Sequence, residues 1–373
     1  MDGRPALSTL SPDELSPILA ELGVPPWRGR QLTNALWHPG VVALHEVLQL
    51  PARLRARLDE RVRFCTVDEA ITTEADSGLT VKLLCRLSGG ETVETVAMES
   101  PAHGGRRRRA TVCVSSQVGC AVGCPFCATG RLGLRRDCTA AEIVDQVRVA
   151  GAALHARGLG PVTHVVYMGM GEPLANYDAT VASVRTLAAG MGISPRRITV
   201  STSGVVPAIE RLAREGLPLT LAISLHAVDD PLRDRLVPLN RAHRLAALVD
   251  AGADYARRTG RRLTFEWCLI GGVNDRPEDA DGLRLLARRT HAHVNVIPMN
   301  RIDGSPWGPP DSATTAAFLQ RLQGARTTVR DTRGGTADAG CGQLRAALEE
   351  RRELRGDGSL GPPRRGAAAG ATR

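Results

Sequence analysis

The sequence predicts an α/β protein: an incomplete (β/α)6 barrel with a small N-terminal helical domain. Three observations lead there. From residue 110 onward, short runs rich in β-branched residues alternate with longer segments of helical periodicity, the pattern of parallel strands joined by right-handed crossovers. Cys120-Ala-Val-Gly-Cys124-Pro-Phe-Cys127 follows the first of those runs, at the strand end where such barrels carry their chemistry. Polar residues then recur at the ends of the later strand candidates.

Residues 1–65 read as the helical unit. Ser11-Pro12-Asp13-Glu14 is a capping box with proline at the first helical position. Leu15, Ile18, Leu19 and Leu22 then share one face until Gly23 stops the helix. A second helix starts near Pro26 and carries Trp27, Leu32, Ala35 and Leu36, and a third covers 51–61. In the third, Arg53, Arg55, Arg57 and Arg61 leave two readings open, a solvated face and a grip on phosphates. Residues 66–109 form a β-rich extension, with strand-forming runs at 79–85 and 91–97 and four arginines at 106–109. The barrel core spans 110–354, with strands expected at 110–116, 163–169, 197–202, 218–225, 262–269, 293–298 and 327–331. Helices are expected near 139–157, 178–190, 205–215, 242–259, 276–290 and 312–323. Residues 355–373, rich in Gly, Pro, Ala and Arg, read as a disordered tail.

With 373 residues the chain is long enough for one large barrel of about 250 residues plus an appendage. A formal charge of +9 points to an anionic partner, nucleic acid first, although an excess of Ala, Arg, Gly and Pro also follows from GC-rich codon usage. Nine cysteines without regular spacing argue against a secreted disulfide scaffold. The N-terminus shows no signal-like segment and no apolar run approaches about 18 residues, so a cytoplasmic protein off the membrane is expected.

The thiols carry the chemistry. A four-iron cluster takes thiolate ligands, and this loop supplies three, which leaves one iron with an open position. A zinc knuckle would show paired C-x2-C halves, and no second half follows here. At the strand ends stand Gly169-Met170-Gly171-Glu172-Pro173, Ser201-Thr202-Ser203-Gly204, Ser224-Leu225-His226-Ala227 and Pro298-Met299-Asn300. Singly, each reads as a turn or a helix cap; together, at corresponding places, they read as a binding site. Cys113 and Cys341 read locally as inert buried cysteines.

The segments CVSSQVGC, YMGMGEPL, STSGVVP, SLHA, LRDRLVPLNR, VNVIPMN and CGQL, in this order, resemble the RlmN/Cfr family of radical S-adenosylmethionine (SAM) RNA methyltransferases. The resemblance runs from about residue 8 to 350 and implies a radical SAM barrel with an RNA-binding N-terminal unit. It implies that Cys120, Cys124 and Cys127 hold one [4Fe-4S] cluster, and it places Gly171, Glu172, Ser201, Ser224, Leu225, His226 and Asn300 around SAM. It further implies two SAM per turnover, S-methylation of Cys341, a resolving thiol at Cys113 that forms a transient disulfide with Cys341, and Glu94 as proton acceptor. The expected product is an adenosine of 23S rRNA methylated at C2, with tRNA as a second substrate, an external electron donor such as flavodoxin, and a monomeric enzyme. Two alternatives accompany this reading: C8 methylation of the same adenosine, and a non-catalytic cluster- or zinc-bearing RNA-binding protein. The chain departs from the family's pattern at Thr336-Ala-Asp338 and Ala339-Gly340, and in the arginine-rich insertion before Cys113.

Overall fold

The computed structural model describes residues 3–102, 107–302 and 305–330. The N-terminal unit comprises α1 (Pro12–Glu21), α2 (Pro26–Leu36) and α3 (Ala52–Asp59). The capping box at the start of α1 forms as expected, the Glu14 N–H donating to Ser11 Oγ while the Ser11 N–H donates to the Glu14 carboxylate. These helices close a core of their own, with Leu15, Leu19, Leu32, Leu36 and Leu58 turned inward.

Three strands follow: β1 (Val67–Ala75), β2 (Thr80–Leu87) and β3 (Thr92–Ser100). Next come β4 (Arg109–Cys113), β5 (Gln117–Gly119), α4 (Ala128–Arg131), β6 (Leu134–Asp137) and α5 (Ala140–His155). The remainder alternates: β7 (His164–Tyr167), α6 (Tyr177–Gly190), β8 (Ile198–Thr202), α7 (Val206–Leu212), β9 (Thr220–Ser224), α8 (Asp230–Leu236) and α9 (Leu245–Thr259). It continues through β10 (Leu263–Leu269), α10 (Pro277–Thr290), β11 (His293–Pro298), α11 (Ser312–Arg321) and β12 (Arg326–Val329). Ten strands make one sheet in the order β1-β2-β3-β4-β7-β8-β9-β10-β11-β12. From β4 to β12 neighbours are parallel, whereas β1 to β4 pair antiparallel. The ends do not meet, so six strand–helix units and a closing strand form an open barrel, as expected. The 66–109 extension is therefore part of the barrel sheet, widening it on the β4 side.

The expected strand positions hold within a few residues. Several elements were not anticipated individually, among them β1 and α4. Helix α8 is short and charged, and β5 and β6 form a separate two-stranded hairpin that brackets the thiol loop. Of the four arginines at 53–61, Arg55 on α3 donates to the Val47 and Leu50 carbonyls, and Arg61, just past α3, pairs with Glu21. In the arginine insertion, Arg108 pairs with Glu99 and Arg109 donates to Thr111, while Arg106 lies outside the described residues.

A buried ion pair fastens the helical unit to the barrel. Arg148 on α5 donates to the Leu36 and Phe64 carbonyls at 3.1 and 2.8 Å and to Asp145 at 2.7 Å. Asp145 in turn accepts the backbone N–H and the hydroxyl of Thr66, both at 2.8 Å. Every polar atom of the pair that faces the junction has a partner, so removing one side strands the other in low dielectric. Arg148→Ala is expected to cost about 3–5 kcal/mol of stability, read as a lower urea midpoint; an unchanged midpoint would contradict this role.

Candidate active site

The three thiols sit in the connection of the β5–β6 hairpin. The Cys120 N–H closes the loop onto the Gly133 carbonyl at 2.9 Å, and Cys127 begins α4 after donating its N–H to the Cys124 carbonyl at 3.1 Å. Gly119 is required at the loop entrance. Its φ is +83°, and a Cβ there would lie 1.8 Å from the Gly133 oxygen. Burial pushes the Cys120 thiol up to about 11, and it pushes Cys124 well above its ordinary value with further upward pressure from Cys127 and Cys120. Cys120 and Cys124 thus hold their protons until an electrophilic centre displaces them. Three soft thiolate donors within eight residues of one loop fit a cluster, which offers a different iron to each.

Beside the loop, at the carboxyl ends of the strands, lies a pocket of about 250 Å³. Its wall includes Phe126 and Cys127 from the thiol loop together with Gly171, Glu172, Ser201, Ser224, His226 and Asn300. Six residues anticipated from four separate strand ends, and one of the thiols, therefore share one cavity. Leu225 differs. Its side chain is wholly buried in the core, so only its backbone is available near the pocket.

Hydrogen bonds between strand ends set the shape of the pocket. Ser115, just past β4, donates to the Glu94 carbonyl at 2.5 Å and accepts the Met170 N–H at 2.8 Å. Gln117 accepts the Glu172 N–H at 2.7 Å. That approach is possible because position 171 is glycine: φ is +99°, and a Cβ would meet Gln117 at 2.6 Å. The Glu172 carboxylate is used within the protein, accepting the Leu174 N–H at 3.0 Å and the Ser203 N–H at 2.6 Å. Glu172 thereby locks the β7 turn to the β8 turn. Burial raises its pKa, while these backbone donors oppose the rise.

His226 departs from the usual backbone, with φ +59°, a conformation that a non-glycine residue holds only when its surroundings enforce it. Asn274 enforces it, donating to the His226 carbonyl at 2.9 Å and to the Cys268 carbonyl at 2.8 Å. His226 Nδ1 accepts the Cys268 N–H at 2.9 Å, which leaves the ring proton on Nε2 as a donor. Phe126 meets the ring edge-on at 4.9 Å. Burial, reinforced by the Arg233 cation, holds the His226 pKa down to about 3.

Strand pairing places Glu94 and Cys113 on the pocket's side of the sheet. Thr95 faces α5, bonding Gln146 at 2.9 Å, so its neighbours Glu94 and Val96 face the barrel interior. Val96 pairs with Cys113, which pairs with Val166, and Val166 pairs with Thr199, two residues before Ser201. Both residues are buried, and neither lines the pocket itself. Cys341 lies outside the described residues, as does its expected pairing with Cys113.

Sequence reasoning missed Glu266 and Cys268, which line the pocket from β10. A carboxylate within the apolar run Leu263-Thr-Phe-Glu266-Trp-Cys-Leu269 was the available signal. Glu266 accepts from Asn295 at 2.6 Å, and burial raises its pKa.

A thiol loop of this spacing opening into a strand-end pocket of an incomplete barrel defines the radical SAM class, and residues 114–282 match the family model of the Radical SAM superfamily. The chain is 46% identical over 355 residues to a protein of Moorella thermoacetica described as "Probable dual-specificity RNA methyltransferase RlmN", covering 94% of this chain and 99% of the relative. It is 47% identical over 357 residues to a protein of Frankia alni of the same description, covering 92% and 84%. The crystal structure of a radical SAM methyltransferase from Sphaerobacter thermophilus superposes with a TM-score of 0.85 at 45% identity, covering 91% of this chain and 98% of that one. The chain belongs to the RlmN family of radical SAM RNA methyltransferases.

A pH dependence follows from His226. Below pH ~6.5 the unfolded chain protonates this side chain, while the folded protein keeps it neutral down to about 3. The unfolded state then binds more protons, so stability falls as pH falls through this window. Melting temperatures between pH 7 and 4.5 are expected to drop less steeply in His226→Gln than in the parent. Identical slopes would contradict a neutral, buried His226.

Proposed function

We propose that this protein methylates C2 of an adenosine in 23S rRNA, in the peptidyl transferase centre, and an adenosine of tRNA as a second substrate. One observation carries the reading: the buried Glu94 and Cys113 share the sheet face of the pocket, beside a three-thiol loop, in a chain whose relatives are described as dual-specificity RNA methyltransferases. When bound, the cluster supplies the electron for SAM cleavage and SAM supplies the methyl carbon.

The remaining steps fall to this chain. Cys120, Cys124 and Cys127 would hold the cluster by their thiolates. Ser201, Ser224, His226 and Asn300 orient SAM, His226 as an Nε2–H donor. The Gly171 turn presents backbone to the ligand, and Glu172 fixes that turn rather than binding by its own carboxylate. Cys341 carries the methyl carbon to the base as a thioether. Glu94 accepts the proton that must leave the ring carbon. The Cys113 thiolate then attacks the Cys341 sulfur, forming a disulfide as the sulfur–carbon bond breaks; its electron pair passes to the methylene carbon, which takes up a proton to become the methyl group as the base departs. An external one-electron donor of the flavodoxin type serves the cluster, and the enzyme acts as a monomer.

Anaerobic reconstitution with iron and sulfide, followed by SAM, reductant and a 23S rRNA fragment, tests this by nucleoside mass spectrometry. The expected product is 2-methyladenosine, and Cys113→Ser is expected to accumulate a covalent protein–RNA adduct. An 8-methyl product, or free methylated RNA from Cys113→Ser at the parent rate, would contradict the proposal.

A further inference from the structure

Arg233 on α8 is the largest charged side chain wholly buried in the described residues, and it has no carboxylate partner there. It donates to four neutral acceptors: the Leu225 carbonyl at 3.0 Å, the Ser203 carbonyl at 2.7 Å, the Ser224 carbonyl at 3.1 Å and Asn240 Oδ1 at 3.0 Å. Asp230 and Asp234 stand behind Asn240, which donates to each of them. A guanidinium taken out of water without an anion is expensive, and three backbone carbonyls could be met by a neutral donor. The retained charge therefore calls for an anion.

The surrounding residues say which. Leu232 and Leu236, flanking Arg233 on α8, pack in one cluster with Cys124 and with Val122, Phe126 and Cys127 of the thiol loop. Burial lowers the Arg233 pKa to about 10, so it stays a cation at neutral pH, with the Cys124 thiol, Asp230 and Asp234 opposing that fall. As a cluster ligand, Cys124 is a thiolate.

We propose that Arg233 is a positioning residue that also acts electrostatically, bracketing the β8 and β9 turns of the SAM pocket and setting a fixed positive charge beside the Cys124 thiolate. This rests on the radical SAM assignment of the thiol loop. Adding one electron makes a thiolate-bound cluster more negative, and a buried cation nearby favours that state. Arg233 thus raises the reduction potential at the place where SAM is held, coupling the electron step to the shape of the pocket.

The test is a potentiometric titration of the reconstituted full-length protein, followed by electron paramagnetic resonance, with SAM affinity measured in parallel. Arg233→Gln is expected to move the midpoint potential to more negative values and to weaken SAM binding. Arg233→Lys, which keeps the charge and loses the bracket, is expected to hold the potential near the parent value while SAM affinity falls several-fold. Asn240→Asp, which leaves Arg233 in place beside a new carboxylate, is expected to lower the potential and decides the matter should Arg233→Gln fail to fold. A parent-like potential in both Arg233→Gln and Asn240→Asp would overturn the proposal alone. A parent protein that assembles no cluster would overturn both the proposal and the assignment beneath it.

Discussion

The structure depends on a belt of side chains that ties the carboxyl ends of the barrel strands to one another. Parallel strands pair through their middles, but their ends carry backbone groups without ladder partners, and each must be satisfied when buried. Here the partners come from other strand ends. Gln117 holds the Glu172 turn, Glu172 holds the Ser203 turn, Arg233 holds Ser203, Ser224 and Leu225, and Asn274 holds His226 and Cys268. The pocket is the space this belt encloses. A binding site built this way is rigid before any ligand arrives, because each wall residue is fixed by a neighbour on the next strand.

The belt also accounts for the polar groups inside a largely apolar barrel. Glu172 is almost fully buried yet accepts two backbone N–H groups, an arrangement that satisfies a carboxylate without a cation. Arg233 is the reverse case, a cation held in place by three backbone carbonyls and Asn240. Around Glu172 and Glu266 the pocket wall adds hydroxyls from Ser201 and Ser224, the imidazole of His226 and the amide of Asn300, which suit a ligand bearing both charged and neutral polar parts. The hydrophobic cluster of Cys124, Leu232, Leu236, Ile270 and Met299 keeps water from the inner side of the thiol loop, which strengthens every electrostatic contact there.

Much of the architecture was readable from residue order. The alternation from 110 onward and the capping box at Ser11 are local signals, and they correspond to elements in the structure. Helix α8 was not readable because Asp230-Pro-Leu-Arg-Asp-Arg-Leu236 is short and mostly charged, with no apolar periodicity beyond two leucines. The β5–β6 hairpin was hidden because its strands are three and four residues long. The strand-end residues stood out singly, but Gln117, Arg233 and Asn274 did not. Gln117 reaches a partner 55 residues away and Arg233 one 30 residues away, and such pairings are a property of the folded sheet. Leu225 illustrates the converse: its place in the motif was visible, but not that its side chain turns into the core.

The central claim is that the three-thiol loop and the belt-bound pocket form one site, in which an iron left open by Cys120, Cys124 and Cys127 meets SAM. Electron paramagnetic resonance of the reduced, reconstituted protein, recorded with and without SAM, tests it most directly. A cluster signal that changes on adding SAM, and does not change in His226→Ala and Asn300→Ala combined, is the predicted result. A signal indifferent to SAM in the parent protein would contradict it.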